Sequence, residues 1–439
     1  MELTRQQLED GIKKAGILDI NSATIRQIVG LSKAMEQETG EEYIHLELGN
    51  PGLMAEEIGI AAEKAALDRG VANKYPDITG VAELKTAGSK FVKAFLDIDV
   101  PSRCIIPTVG SMQACFTLMT LLKQKDPGKD SLLLFTPFFP AQSHQAKLIG
   151  FNRVTMDIAD YRGDKLRGRL EELLSSGKFA AMLYSNPNNP SWSNFTDKEL
   201  KIIGEMATKY DVPVIEDLAY LGMDFRKDFS KPYQPPFIPT VAKYTNNYIL
   251  LISASKIFSY AGQRVAIVCM SPEVYSRNYP EIERFYEMPN FGDAYIFGVL
   301  YMASSGVAHS AQFAMAEMLE RAADGTLPFI AHTKEYGRRG GRMRQIFEDN
   351  GFHLVYAKDG EDEISDGFFF TVGYGNLTSE ELQKELMRFG VCTIPLPSTG
   401  STKDGVRVCV SMMTDEKHFD TLGKRLKRFH ETHQLINQS

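Results

Sequence analysis

The chain has 439 residues, 24% of them charged and 43% apolar, and its 49 basic and 56 acidic side chains leave a net charge of −7. That length exceeds a comfortable single core and predicts two or three lobes around a large buried interior. The acidic balance argues against a nucleic-acid surface, and no apolar run reaches the length of a membrane span.

The first residues, MELTRQQLEDG, are polar and lack the apolar core of a signal peptide, so a cytoplasmic protein is expected. Residues 22–39 (SATIRQIVGLSKAMEQET) place Ile25, Ile28, Val29, Leu31 and Met35 at helical spacing, with Gly40 as a stop. From about residue 78, helical patterns alternate with short apolar runs: SLLLF (131–135), AAMLY (180–184), VPVIE (212–216), YILLI (248–252) and VAIVCM (265–270). This alternation predicts a mostly parallel sheet wrapped by helices, with ligands at the carboxyl ends of its strands. The proline-rich KPYQPPFIP (231–239) reads as a loop.

After about residue 325 the pattern changes. A long basic helix (333–350), the stretch HLVYAKDGEDEISDGFFFTVGY and the run VRVCVSM predict a second, smaller α+β lobe. The acidic DGEDEISD reads as a solvated loop. Five scattered cysteines suit reduced, buried thiols better than disulfides or a zinc site. His430 and His433 share a helical face so near the end of the sequence that a frayed, solvated helix is expected, and no metal site.

Candidate chemistry gathers at the strand ends. PTVGSMQACFTLMTLL (107–122) opens with a Gly110-Ser111 turn and becomes a helix whose first N–H groups suit an anion, although many helices begin this way without one. FTPFFP (135–140) ends a strand with aromatics that core packing explains equally well. SNPNNPSW (185–192) is either a plain Asn-Pro turn or a means of presenting the Asn189 amide. VIEDLAYLGMDF (214–225) sets Asp217 just past an apolar strand, as a cap or as a buried carboxylate that requires a cationic partner. SASKIFSYAGQR (253–264) wedges Lys256 and Arg264 between two apolar runs, where a solvated loop lysine is the ordinary alternative.

Taken in order, and with a late arginine in VRVCVS, these motifs resemble the fold-type I, class I/II aminotransferases of the aspartate aminotransferase superfamily, which use pyridoxal 5′-phosphate. The resemblance runs from SATI near residue 22 to the final helices. It implies an α/β fold with a large domain (66–325) built on a mostly parallel seven-stranded sheet flanked by helices. A smaller α+β domain would combine residues 1–65 and 326–439.

The resemblance also implies roles. Lys256 would hold the cofactor aldehyde as an internal aldimine and then shuttle a proton, with Asp217 beside the protonated ring nitrogen. Tyr220 and Asn189 would face the phenolic oxygen, and Phe139 would stack on the ring. Ser253, Arg264 and the backbone at Gly110, Ser111 and Met112 would hold the phosphate. Arg407 would grip the substrate α-carboxylate, with Asn189 and Gly49 nearby, although alternation in VRVCV fits a solvent-facing arginine equally. Tyr75, in NKYPDITG, would reach the phosphate of a neighbouring subunit, implying a homodimer.

Three positions depart from the family pattern. Trp192 and Ala266 replace usual glycines, so the turn at 192 must be built without one. Met112 stands where an aspartate-using subgroup carries a lysine, which weakens a preference for acidic substrates. The expected activity is transfer of an amino group from an α-amino acid to a 2-oxo acid by a ping-pong mechanism. A C–S lyase acting by β-elimination is the alternative on the same cofactor. A non-enzymatic pyridoxal phosphate-sensing regulatory domain is a third reading, set back by the acidic charge and by the lack of room for a DNA-binding module before residue 22. No membrane, nucleic acid or metal is expected.

Overall fold

In the computed structural model, which describes residues 2–437, seven strands build one sheet. They are β1 (Ile105–Thr108), β2 (Ser131–Thr136), β3 (Asn152–Asp157), β4 (Phe179–Ser185), β5 (Val214–Asp217), β6 (Tyr248–Ser253) and β7 (Ala266–Met270). Their spatial order is β1-β7-β6-β5-β4-β2-β3. Only β7 runs against its neighbours; the rest of the sheet is parallel.

Unbroken apolar runs suit these strands because helices cover the sheet and every residue of β2 and of β4 to β7 is buried. Alternate residues feed two cores. Leu133, Met182, Leu250 and Ile267 enter one, while Leu132, Leu183, Leu251 and Val268 enter the other. Edge strand β3 breaks the pattern: NRVTMD is buried only at Met156 and Asp157. Its polar sequence gives no apolar run, which is why the sequence reading passed over it.

A second sheet holds β8 (Phe352–Leu354), β9 (Phe369–Tyr374), β10 (Ile394–Pro395) and β11 (Val406–Cys409), in the antiparallel order β10-β11-β9-β8. Helix Phe329–Asp349, which starts before the expected residue 333, packs on this sheet and on helix Glu416–Asn437. The N-terminal segment joins the same lobe, because Ile44–His45 pairs in parallel with Val391–Cys392. Helix Ile25–Thr39 begins with Thr24 and Gln27 capping each other and stops at Gly40, whose φ of 71° is left-handed. Helix Glu57–Asp68 instead packs against His309–Ala323.

Two expectations need correction. The acidic run is not merely solvated: Lys358–Asp359 and Asp362–Glu363 form a small hairpin. Asp359 is buried there and pairs with Arg226 at 2.8 Å, because a buried carboxylate needs a cation. Nor are His430 and His433 on a frayed end. His430 Nδ1 lies 2.8 Å from Tyr374 Oη, and His433 stacks on Phe429 with its centroid 4.1 Å away. All five cysteines are buried and free. No group of residues suited to a metal, and no helix long and apolar enough to cross a membrane, occurs among the described residues.

Candidate active site

The carboxyl ends of β2, β4, β5 and β6 converge on a cavity of about 1040 Å³. Of the residues singled out from sequence, Gly49, Ser111, Met112, Phe139, Asn189, Asp217, Tyr220, Ser253, Lys256, Arg264 and Arg407 line it. Gly110 lies just behind the lining, and Tyr75 stands outside it, 90% exposed.

Lys256 sits on a single helical turn, Ala254–Ile257, that follows β6 directly. Ser253 caps this turn by accepting from the Ser255 N–H at 3.2 Å. The lysine is therefore not a solvated loop residue. Its Nζ donates to the Gly49 carbonyl and lies 5.4 Å from the centroid of the Phe368 ring. Burial first, with Arg407 and Arg264 adding to it against Cys409, pushes the amine down to about 8.

Asp217 closes β5. Gln142 Nε2 donates to its Oδ2 at 3.0 Å and the Ala219 N–H to its Oδ1 at 3.2 Å. Neither donor is charged, so the buried carboxylate has no cation among the described residues, and burial raises it to about 6. The adjacent Glu216 faces away and is satisfied by Thr240, Val241 and Tyr184.

The N-cap of helix Gly110–Gln124 makes no side-chain bond to the first turn, so the N–H groups there could cradle an anion. Gly110 has a φ of 69°, and a Cβ there would stand 2.5 Å from an Arg264 guanidinium nitrogen. Only glycine satisfies both demands. Arg264, also left-handed at φ 52°, donates to the Ala261 carbonyl at 2.9 Å and has no carboxylate partner among the described residues.

Arg407, on β11, is 2% exposed, which excludes the solvent-facing alternative. Its guanidinium donates to Asn189 Oδ1 at 3.3 Å and to the Glu47 carbonyl at 2.5 Å, and lies 4.7 Å from the Phe369 centroid. Tyr220 is buried among Trp192, Phe368 and Phe369 at centroid distances of 5.3–5.4 Å. Trp192 takes the left-handed backbone that its turn requires, with φ 64°, and its indole occupies the space a Cβ at Gly367 would need.

Sequence reasoning missed Gln142, Ser255, Arg26, His144 and Arg153, all of which line the cavity. Ser255 was legible inside the S-x-S-K run. Gln142 follows Phe139 by three residues on helix Pro140–Ile149, and nothing in its neighbours announced a carboxylate partner.

A model of the family described as aminotransferase class I and II matches residues 41–420. The chain belongs to that family. Class I/II aminotransferases are pyridoxal 5′-phosphate-dependent, and the cradle, the uncompensated Asp217 and the depressed Lys256 fit the phosphate, the ring nitrogen and the aldehyde of that group. Among similar proteins, the asparagine–oxo-acid transaminase of Streptococcus mutans is 27% identical over 54% of this chain and 58% of its own length. The aromatic-amino-acid aminotransferase 2 of Thermococcus litoralis is 28% identical over 58% of this chain and 62% of its own. The matches thus span about three-fifths of those relatives. A Thermus thermophilus aspartate aminotransferase mutant superposes with a TM-score of 0.74 at 18% identity, over 98% of this chain and 100% of that one, a likeness of fold alone.

Proposed function

We propose that this family member transfers the amino group of an α-amino acid to a 2-oxo acid by a ping-pong mechanism. One observation carries the reading: Lys256, Asp217 and Arg407 share one cavity, and none has an ion-pair partner among the described residues. An amine, a carboxylate and a guanidinium without ion partners suit a ligand that brings an aldehyde, a cationic ring nitrogen and a substrate carboxylate. Pyridoxal 5′-phosphate, when bound, supplies an electron sink for charge developing at the substrate Cα.

The chain's own residues do the rest. Arg264, Ser253, Ser255 and the N–H groups of Gly110, Ser111 and Met112 hold the phosphate. Asp217 holds a proton on the ring nitrogen, and Gln142 orients that carboxylate. Asn189 Oδ1 accepts from Arg407, which leaves its Nδ2 to donate to the phenolic oxygen beside the Tyr220 hydroxyl. Phe139, which lines the cavity, would pack against the ring. Both anchored terminal nitrogens of Arg407 keep an N–H for the substrate carboxylate. The neutral Lys256 Nζ takes the Cα proton. Arg26, His144 and Arg153 also line the cavity and are the groups we assign to the substrate side chain.

We place two further features in the same proposal. The exposed Tyr75 serves a second copy of the chain in a homodimer. The chain divides into 66–325 and a lobe of 1–65 with 326–439; the pairing of Ile44–His45 with Val391–Cys392 supports joining the two segments, while helix Glu57–Asp68 packs against His309–Ala323 of the larger part. No observation favours elimination over transfer.

Lys256→Ala tests the assignment. After borohydride reduction, the wild-type protein is expected to carry a pyridoxyl group on the peptide containing Lys256. The variant should carry none and lose at least about 10³-fold in turnover. A pyridoxyl label in the variant's cavity would remove Lys256 from its role.

A further inference from the structure

Among the described residues, the buried polar atoms without a hydrogen-bond partner include Glu47 Oε2 and Arg407 Nε. These two belong to residues already tied together, because Arg407 donates to the Glu47 carbonyl. The Glu47 side chain is completely buried and is the carboxylate that acts on the Arg407 guanidinium across space. A buried carboxylate within electrostatic reach of a buried guanidinium would ordinarily close into an ion pair. Here it does not. Glu47 Oε1 instead lies 2.7 Å from His45 Nδ1, and His45 Nε2 lies 3.1 Å from Glu36 Oε1.

Strand alternation explains the arrangement. Ile44 and Leu46 point into the core, so His45 and Glu47 project together from the opposite side. The backbone is fixed independently by bonds from Ile44 N to Gly390 O, Leu46 N to Cys392 O and Cys409 N to Leu46 O. Around the pair stand Glu36 on helix Ile25–Thr39, Cys392 on the neighbouring strand, and Arg425, which donates to the Gly390 and Glu42 carbonyls. The hydrogen bond to Glu47 and both carboxylates raise the affinity of His45 for a proton against its burial.

We propose that His45 is a positioning residue that holds the Glu47 carboxylate away from Arg407 and so keeps the guanidinium free for the substrate carboxylate. The segment 45–49 thereby serves the site twice, since Glu47 O anchors Arg407 and Gly49 O receives Lys256 Nζ. Its link to substrate rests on the function proposed above; its link to Arg407 does not.

The test uses the cofactor-loaded full chain with His45→Ala, His45→Asn and the double variant His45→Ala/Glu47→Gln. Crystal structures of His45→Ala are expected to show Glu47 paired with Arg407. Half-reactions with L-aspartate, L-glutamate and L-phenylalanine should show the amino-acid affinity falling about tenfold, or 1.4 kcal/mol, with the maximal rate within about twofold. His45→Asn, which can still donate to Glu47, should recover most of the affinity. The double variant, with no carboxylate to compete, should bind within about threefold of wild type. A Glu47 that stays apart from Arg407 in His45→Ala, or a double variant no better than the single one, overturns the proposal. If wild-type protein reacts with no amino acid, the function proposed above fails, while the crystal structures still decide the role of His45. Should His45→Ala not fold, the structure of His45→Leu, which fills the space but cannot donate to Glu47, gives the same decision: Glu47 paired with Arg407 supports the proposal and Glu47 apart from it overturns it.

Discussion

Lys256 and Asp217 are displaced from their ordinary protonation in opposite directions, and by the same cause. Burial disfavours charge in both, lowering the amine to about 8 and raising the carboxylate to about 6. Capture of free pyridoxal phosphate by the apoprotein needs a neutral amine, so its rate should climb with pH and reach half its maximum near pH 8. Stopped-flow absorbance would show this, and a midpoint above 10 would contradict the burial argument. Asp217 carries a stability signature as well. Its folded value exceeds the unfolded one of about 4, so the native state binds the proton more tightly. The associated stability is present below pH 4 and lost as pH rises through 6, on the order of 2–3 kcal/mol. Apoprotein with Asp217→Asn should therefore melt a few degrees above wild type at pH 8 and no higher at pH 4. With cofactor bound the order should reverse, because the variant lacks the carboxylate proposed to hold the proton on the ring nitrogen.

The turn after β4 shows how an element is kept when its expected residue is gone. Trp192 adopts φ 64° where glycine would be unstrained, and its fully buried indole fills the space opened at Gly367 while packing on Tyr220 and Phe369. Trp192→Ala should cost about 3–5 kcal/mol in urea unfolding. Trp192→Gly should still lose stability, since relief of the backbone, about 1–2 kcal/mol, is smaller than the lost packing. A stabilising Trp192→Gly would show that the indole contributes little. This coupling between residues 192 and 367 cannot be read from a chain, because neither position signals the other. What was legible were elements whose burial is complete, such as SLLLF and YILLI, and residues standing immediately after them, such as Asp217 and Lys256. Illegible were β3, whose polar residues face outward at an edge, and Gln142, whose significance comes only from meeting Asp217 across the sheet. Asp359 was hidden among acidic neighbours, and its burial depends on Arg226, more than a hundred positions away.

At the scale of the whole molecule, the cavity is assembled from distant parts of the chain. The segment around Gly49 and the strand bearing Arg407 come from the lobe that contains residues 329–437, while Asp217 ends a strand of the seven-stranded sheet and Lys256 and the start of helix Gly110–Gln124 follow its strands directly. Substrate would bridge the two lobes, meeting Arg407 from one and Lys256 from the other. The most direct test of that account is a single-turnover half-reaction. Cofactor-loaded protein is mixed with individual amino acids while the cofactor absorbance and the 2-oxo acid product are followed. The expected result is loss of the absorbance with one equivalent of 2-oxo acid released per site, and its return on adding a 2-oxo acid alone. Absorbance that persists through turnover while pyruvate and a thiol leave a β-substituted amino acid, or that no amino acid alters, would contradict the account.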